Sequence, residues 1–398
     1  MNIRLAAAAC LLLFTSGCAC QPETPDSAAG TPPQTTGMPA VTHTVSAESE
    51  ASFSGRYIIS GAEETLSGGS YDSLTPGEAA ILLVSGRLNG TELHIDKTGD
   101  MPAGETADPG QNAAVIAADG STLRLQDVLL TTNGSSAAGV YCTGELSSAA
   151  LTGGMVATSS TGSAAVAAAN GASLSLDNLE LLTDSTESPC LFVASGAQAS
   201  ASGLTARAVE AYALLLEEGS AVWVGGTMDG GVCLSGASSL AAESGILQCS
   251  ADHALFTVQS GTPSVSLTGV TLTLPKSGRL LHLQAGMLTL SGEHQAFSGD
   301  LVCEQGSALR LRLSNNSTYT GRLSSEDYMD VTLTLDATSR WFVTGDSYLE
   351  ALEEGEGVLQ NIESNGFNVY YNSENEANAW LGSQPHALPG GGYLSPLI

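Results

Sequence analysis

AAVIAADGSTLRLQDVLLTT, residues 113–132, carries two apolar alternations around a glycine. Val115 and Ala117 precede Gly120, Leu123 and Leu125 follow it, and Val128 and Leu130 come next. Alternation with period two means a strand with one face buried. A glycine between two such runs marks a tight bend, where the missing Cβ admits a positive φ or a close approach of chains. The stretch therefore reads as strand, turn, strand.

The same pattern recurs along the chain. Taking the bend glycine as a register mark gives Gly86, Gly120, Gly144, Gly171, Gly196, Gly219, Gly236, Gly261, Gly286 and Gly306. From Gly120 to Gly306 the spacing averages about 23 residues. Five and three residues before the mark stand Val166 and Ala168, Leu191 and Val193, Leu214 and Leu216, Phe256 and Val258. Three and five after it stand Leu174 and Leu176, Leu309 and Leu311 and, by the same count, Val222 and Val224. A third alternation follows in several units, as at Leu179 and Leu181. Three short strands per repeat of this length predict an all-β, single-stranded parallel β-helix, a solenoid of about 10–12 coils with capped ends. Each coil cannot bury its apolar side alone, so stacking places each Leu or Val on its counterpart one strand spacing away. Helical repeats are excluded because period 3.6 is absent, and leucine-rich and propeller repeats because their signatures are missing.

The two ends differ from this repeat. Leu5–Phe14 is an apolar run too short to span a bilayer, preceded by Arg4 and followed by Thr15, Ser16, Gly17 and Cys18. It is similar to a bacterial lipoprotein signal, with Thr15 where Leu is usual. That similarity implies a signal peptide over residues 1–17 and lipidation, including palmitate, at Cys18; an ordinary secretory signal is the alternative. Residues 18–50 are rich in Pro, Ser and Thr and read as a tether. Residues 51–398 form the β-helix with a C-terminal cap, in which Val331–Leu335 alternates, Glu353–Gly357 is acidic, and Val369–Tyr371 and Gly392–Pro396 read as closing strands.

Asp and Glu number 41 against 12 Lys and Arg, a formal net charge of −29. Removal of residues 1–17 takes away Arg4 and no acid. That balance argues against nucleic acid, whose binding rests on cationic contacts to phosphate, and equally against anionic lipid or polyuronate partners. The acidity keeps an exported protein soluble; weak Ca²⁺ binding at carboxylate clusters is the alternative. The eight cysteines contain no C-x-x-C, which removes zinc ribbons and thioredoxin-like chemistry. Cys20, Cys142, Cys190, Cys233, Cys249 and Cys303 are expected to be mostly buried free thiols, because Cys303 falls at an inward position.

SGGSYDS (67–73), GQNAAVIAADGSTLRLQDV (110–128), STYTGRL (317–323), VTLTLDATSRWFVTGDSYLEAL (331–352), NVYYNSENEANAWLG (368–382) and LPGGGYLSPL (388–397) carry a resemblance. They resemble an adhesin-like, right-handed parallel β-helix lipoprotein family of clostridial and other gut Firmicutes, over about residues 53–398. The resemblance implies an exported protein held at the bacterial surface by a membrane lipid anchor.

No motif supplies catalysis or a metal site. The paired-carboxylate motifs of polygalacturonase-like hydrolases are absent, and only Lys97, Lys276 and nine arginines remain to neutralise a uronate. Arg310 and Arg312 share one solvated strand face. His43, His94, His253, His282, His294 and His386 show no metal-ligand spacing, and no cofactor is expected. The scarce large aromatics Trp223, Trp341, Trp380, Tyr370 and Tyr371 are the candidate partner-binding residues, since exposed aromatics serve carbohydrate and protein surfaces. Trp223 lies between Val222 and Val224, so it is expected to face outward, either free or under a loop. The insertion Asp96–Gly110 is a surface loop that either carries function or is a harmless excursion.

The sequence thus points to a non-enzymatic surface rod that presents a face to a glycan or a surface protein. The alternative is a β-helix carbohydrate-active enzyme, a polysaccharide lyase or glycoside hydrolase, which two or three carboxylates in a groove would favour. Replacing Cys18 by Ala is expected to move the protein from the membrane fraction to the soluble fraction, read by fractionation and immunoblotting; unchanged membrane retention would exclude the lipid anchor.

Overall fold

The computed structural model describes residues 41–44, 52–101, 110–275, 277–323, 330–353 and 358–397. The signal, Cys18, Cys20, nearly all of the tether, residues 102–109 of the insertion, Lys276 and the acidic residues 354–357 lie outside the described residues. Residues 38–398 form one unit. None of the helices among the described residues is long and apolar enough to cross a membrane.

The chain winds as a parallel β-solenoid of about 14 turns of about 24 residues, with 58% strand and 3% helix. The count exceeds the expected 10–12 because the C-terminal hundred residues continue the winding. Ala296–Ser298, Thr318–Gly321, Arg340–Val343 and Ile362–Glu363 pair in parallel, one coil after another. Their inward positions hold Phe297, Tyr319, Trp341 and Ile362 rather than leucines, so the leucine alternation does not extend to them.

Three faces surround the interior. The first is a sheet from Ser52–Ser60 to Asp300–Cys303, closed at its N-terminal end by the antiparallel strand Val41–Thr44. Its inward row includes Ile59, Leu83, Ala117, Cys142, Ala168, Val193, Leu216, Leu234, Val258, Leu283 and Cys303, each paired with the next. The second face carries the row Leu125, Leu151, Leu176, Ala201, Trp223, Ala242, Leu267. The third carries Leu130, Val156, Leu181, Ala206, Met228, Leu247 and Leu272, followed by Phe297, Tyr319, Trp341 and Ile362. Nearly all of these side chains belong to one core that runs through the coils.

The corners explain the wealth of Gly, Asn, Asp and Ser. The stretch 113–132 turns from the first face to the second at Asp119 and Gly120, both with φ positive, and to the third at Asp127, φ 52°. Gly, Asn and Asp accept this conformation most easily. The corners also interrupt the backbone ladder, and buried serines repair it. Ser121, Ser147, Ser163 and Ser188 accept from the backbone N–H groups of Gly86, Gly120, Ala137 and Ser163 in the preceding coil, at 3.2, 3.0, 3.0 and 3.1 Å.

Two substitutions separate these contributions. Leu151→Ala, between Leu125 and Leu176, is expected to cost about 2–5 kcal/mol, and Ser188→Ala about 1–3 kcal/mol because it orphans the buried N–H of Ser163. Urea unfolding of each variant reads these losses; wild-type midpoints would refute the stacked core and the serine corner, respectively.

Candidate functional site

The aromatic candidates separate by burial. Trp223, Trp341 and Tyr371 are fully buried, whereas Tyr370 is half-buried and Trp380 is 40% exposed. The outward placement of Trp223 is therefore corrected. Three residues separate the first-face and second-face strands in the preceding coil, Ser195 to Ala197, but only Glu218 and Gly219 do so here. Losing one residue from a corner moves every following side chain to the opposite face. Val222 and Val224 consequently point out, at 51% and 41% exposure, and Trp223 points in. The indole fits because its ladder neighbours are Ala201 and Ala242. A Cβ on Gly245 would lie 2.9 Å from the ring. The Trp223 Nε1 has no hydrogen-bond partner.

Trp341, a candidate binding residue, is committed to the core: it stacks on Tyr319 with centroids 6.3 Å apart, and its Nε1 donates to the Gly321 carbonyl at 3.0 Å. Tyr371 is inward, its hydroxyl donating to the Gln384 carbonyl at 3.1 Å. Tyr370 faces outward and stacks on Tyr348 at 5.0 Å, while Trp380 sits on a short 3₁₀ turn, Glu376–Leu381. The five residues do not form one surface.

The cavity lies elsewhere. Between third-face and first-face strands the connecting corner spans Asp184–Cys190, then Val209–Ala213, then only Gly230 and Gly231, before lengthening again to Cys249–Leu255. This shortening leaves a groove of about 380 Å³ over the outward side of the first sheet. Its floor includes Leu215 and Cys233, paired on adjacent strands. Pro189, Ala211 and Tyr212 line it, as do Thr186, Gln259 and the carboxylates Glu187, Glu210 and Glu217. Tyr212 packs on His253 with centroids 4.3 Å apart. Corner length carries no periodic signature, so the alternation pattern passes over these residues.

The titratable groups here are structural. Burial, reinforced by the Glu217 charge, pushes the Cys233 thiol up to about 12. Burial also raises the Tyr212 phenol. Cys249 Sγ lies 3.4 Å from His253 Nδ1, but that nitrogen is also 3.0 Å from the Ala254 carbonyl, and burial pushes the thiol up to about 11. A thiol held protonated is no nucleophile. Cys142, Cys190 and Cys303 are likewise buried and free, as expected from sequence. Lys97 is buried; its Nζ donates to the Thr75 and Thr98 carbonyls at 2.9 and 2.8 Å, and burial pulls its pKa down to about 8. Among the described residues, no group of three His, Cys, Asp or Glu is placed to hold a metal ion.

No family model, curated protein or solved structure matches the chain.

The burial order gives a direct test. In single-tryptophan variants, acrylamide is expected to quench Trp380 strongly and Trp223 and Trp341 weakly. Strong quenching of Trp223 would restore the outward register.

Proposed function

We propose that the protein is a non-enzymatic, adhesin-like surface lipoprotein whose solenoid presents the groove on its first sheet to a glycan or protein partner. The lipid anchor at Cys18 and the tether would hold the solenoid clear of the membrane at the bacterial surface. One observation carries the reading: the groove is an apolar floor with an aromatic wall and a polar rim, the composition of a recognition site, built where successive corners shorten.

Three carboxylates at one groove favour a second reading, a β-helix carbohydrate-active enzyme using a carboxylate pair. Against it, Glu187, Glu210 and Glu217 are all exposed, whereas a glycosidase acid is commonly kept protonated by apolar surroundings.

Binding of the mature chain to a glycan array and to immobilised surface-protein extracts, assayed beside release of reducing ends from the same glycans, separates the two. Retention without release is expected. Release of sugar, abolished by Glu210→Gln or Glu217→Gln, would overturn the binding reading in favour of the enzyme.

A further inference from the structure

The groove has a chemical bias beyond its shape, and the inference from it rests on the binding reading above. Glu187, Glu210 and Glu217 line it, while no Lys or Arg does. The ion pairs among the described residues, Arg56–Asp72, His94–Asp96 and His282–Glu304, leave all three carboxylates uncompensated. The only uncharged polar side chains on the lining besides Tyr212 and Cys233 are Thr186 and Gln259. Recognition of a neutral sugar would rest on such groups and would leave three negative charges without use. An acidic ligand would be repelled, both here and by a chain with 41 acids against 12 bases.

We propose that the groove docks a cationic polypeptide segment. Lysine or arginine side chains of the partner lay their aliphatic stems on Leu215, Ala211 and Pro189 and place their charged heads at the carboxylates along the groove, Glu187 and Glu210 at the corners and Glu217 at the end of its strand. Long cationic side chains bury their stems on apolar surface while the head stays with charge and water. Tyr212, braced by His253, adds an aromatic wall, and a cation beside a ring is further attracted. At about 380 Å³ the groove is at the lower end of the roughly 300–1,000 Å³ usual for ligand pockets, which suits one or two side chains of an extended segment.

The probe is a fluorescein-labelled peptide of alternating lysine and glycine, with the same peptide carrying norleucine for lysine as its neutral counterpart, measured by anisotropy on the mature chain. The lysine peptide is expected to bind and the norleucine peptide not. Glu187→Gln, Glu210→Gln and Glu217→Gln together should weaken binding by roughly tenfold or more. Three exposed acids outside the groove, changed by Glu63→Gln, Glu92→Gln and Glu376→Gln, should leave it within about twofold. Circular dichroism confirms that both triple variants remain folded. Equal losses in the two triple variants would reduce the effect to a diffuse acidic field and overturn the site. So would absence of binding, or equal binding of the norleucine peptide. A neutral oligosaccharide that binds the groove while the lysine peptide does not would overturn the cationic inference and leave the binding reading standing. Release of reducing ends would remove that reading itself.

Discussion

In-register stacking of inward side chains is the constraint on which the rest depends. Each core residue has its principal neighbours about 4.8 Å above and below, on equivalent positions of adjacent coils. Volume is therefore balanced along a row rather than within a coil. Ala201, Trp223 and Ala242 show this plainly: the largest side chain sits between two of the smallest. Phe297, Tyr319, Trp341 and Ile362 show the other solution, a run of large side chains stacked on one another. A residue that looks available on its own strand can thus be fully committed to the rows above and below.

Corners are where the ladder stops and other interactions take over. Left-handed residues turn the chain, and buried serines accept the N–H groups that the ladder leaves unpaired. The corners are also the parts whose length can vary without breaking the stack. A change of one residue between the first and second faces inverts a strand, as at Glu218 and Gly219. A shortening between the third and first faces opens a groove. The groove thus depends on corners whose length varies from coil to coil, over outward side chains that the core does not need.

The ionisable groups of the interior are bound up in packing and backbone hydrogen bonds. Burial holds the described thiols protonated, and the buried Lys97 is spent on two backbone carbonyls. The groove over the first sheet offers three exposed carboxylates, the half-buried Tyr212 and an apolar floor.

By itself the sequence determined the architecture, because period-two alternation and recurrent bend glycines are local properties that each coil repeats. It also determined that Cys303 and Leu123 are core. It did not reveal the inward turn of Trp223, since a one-residue difference in corner length has no local signature and becomes visible only when strands pair. Nor did it reveal the groove, which is a difference between the corners of neighbouring coils rather than a property of either. The aromatics Trp341 and Tyr371 drew attention by rarity, yet stacking decided that they are buried. Where a corner changes length, tertiary structure settles which side of a strand a residue occupies, because the partner strand about 24 residues away sets the register.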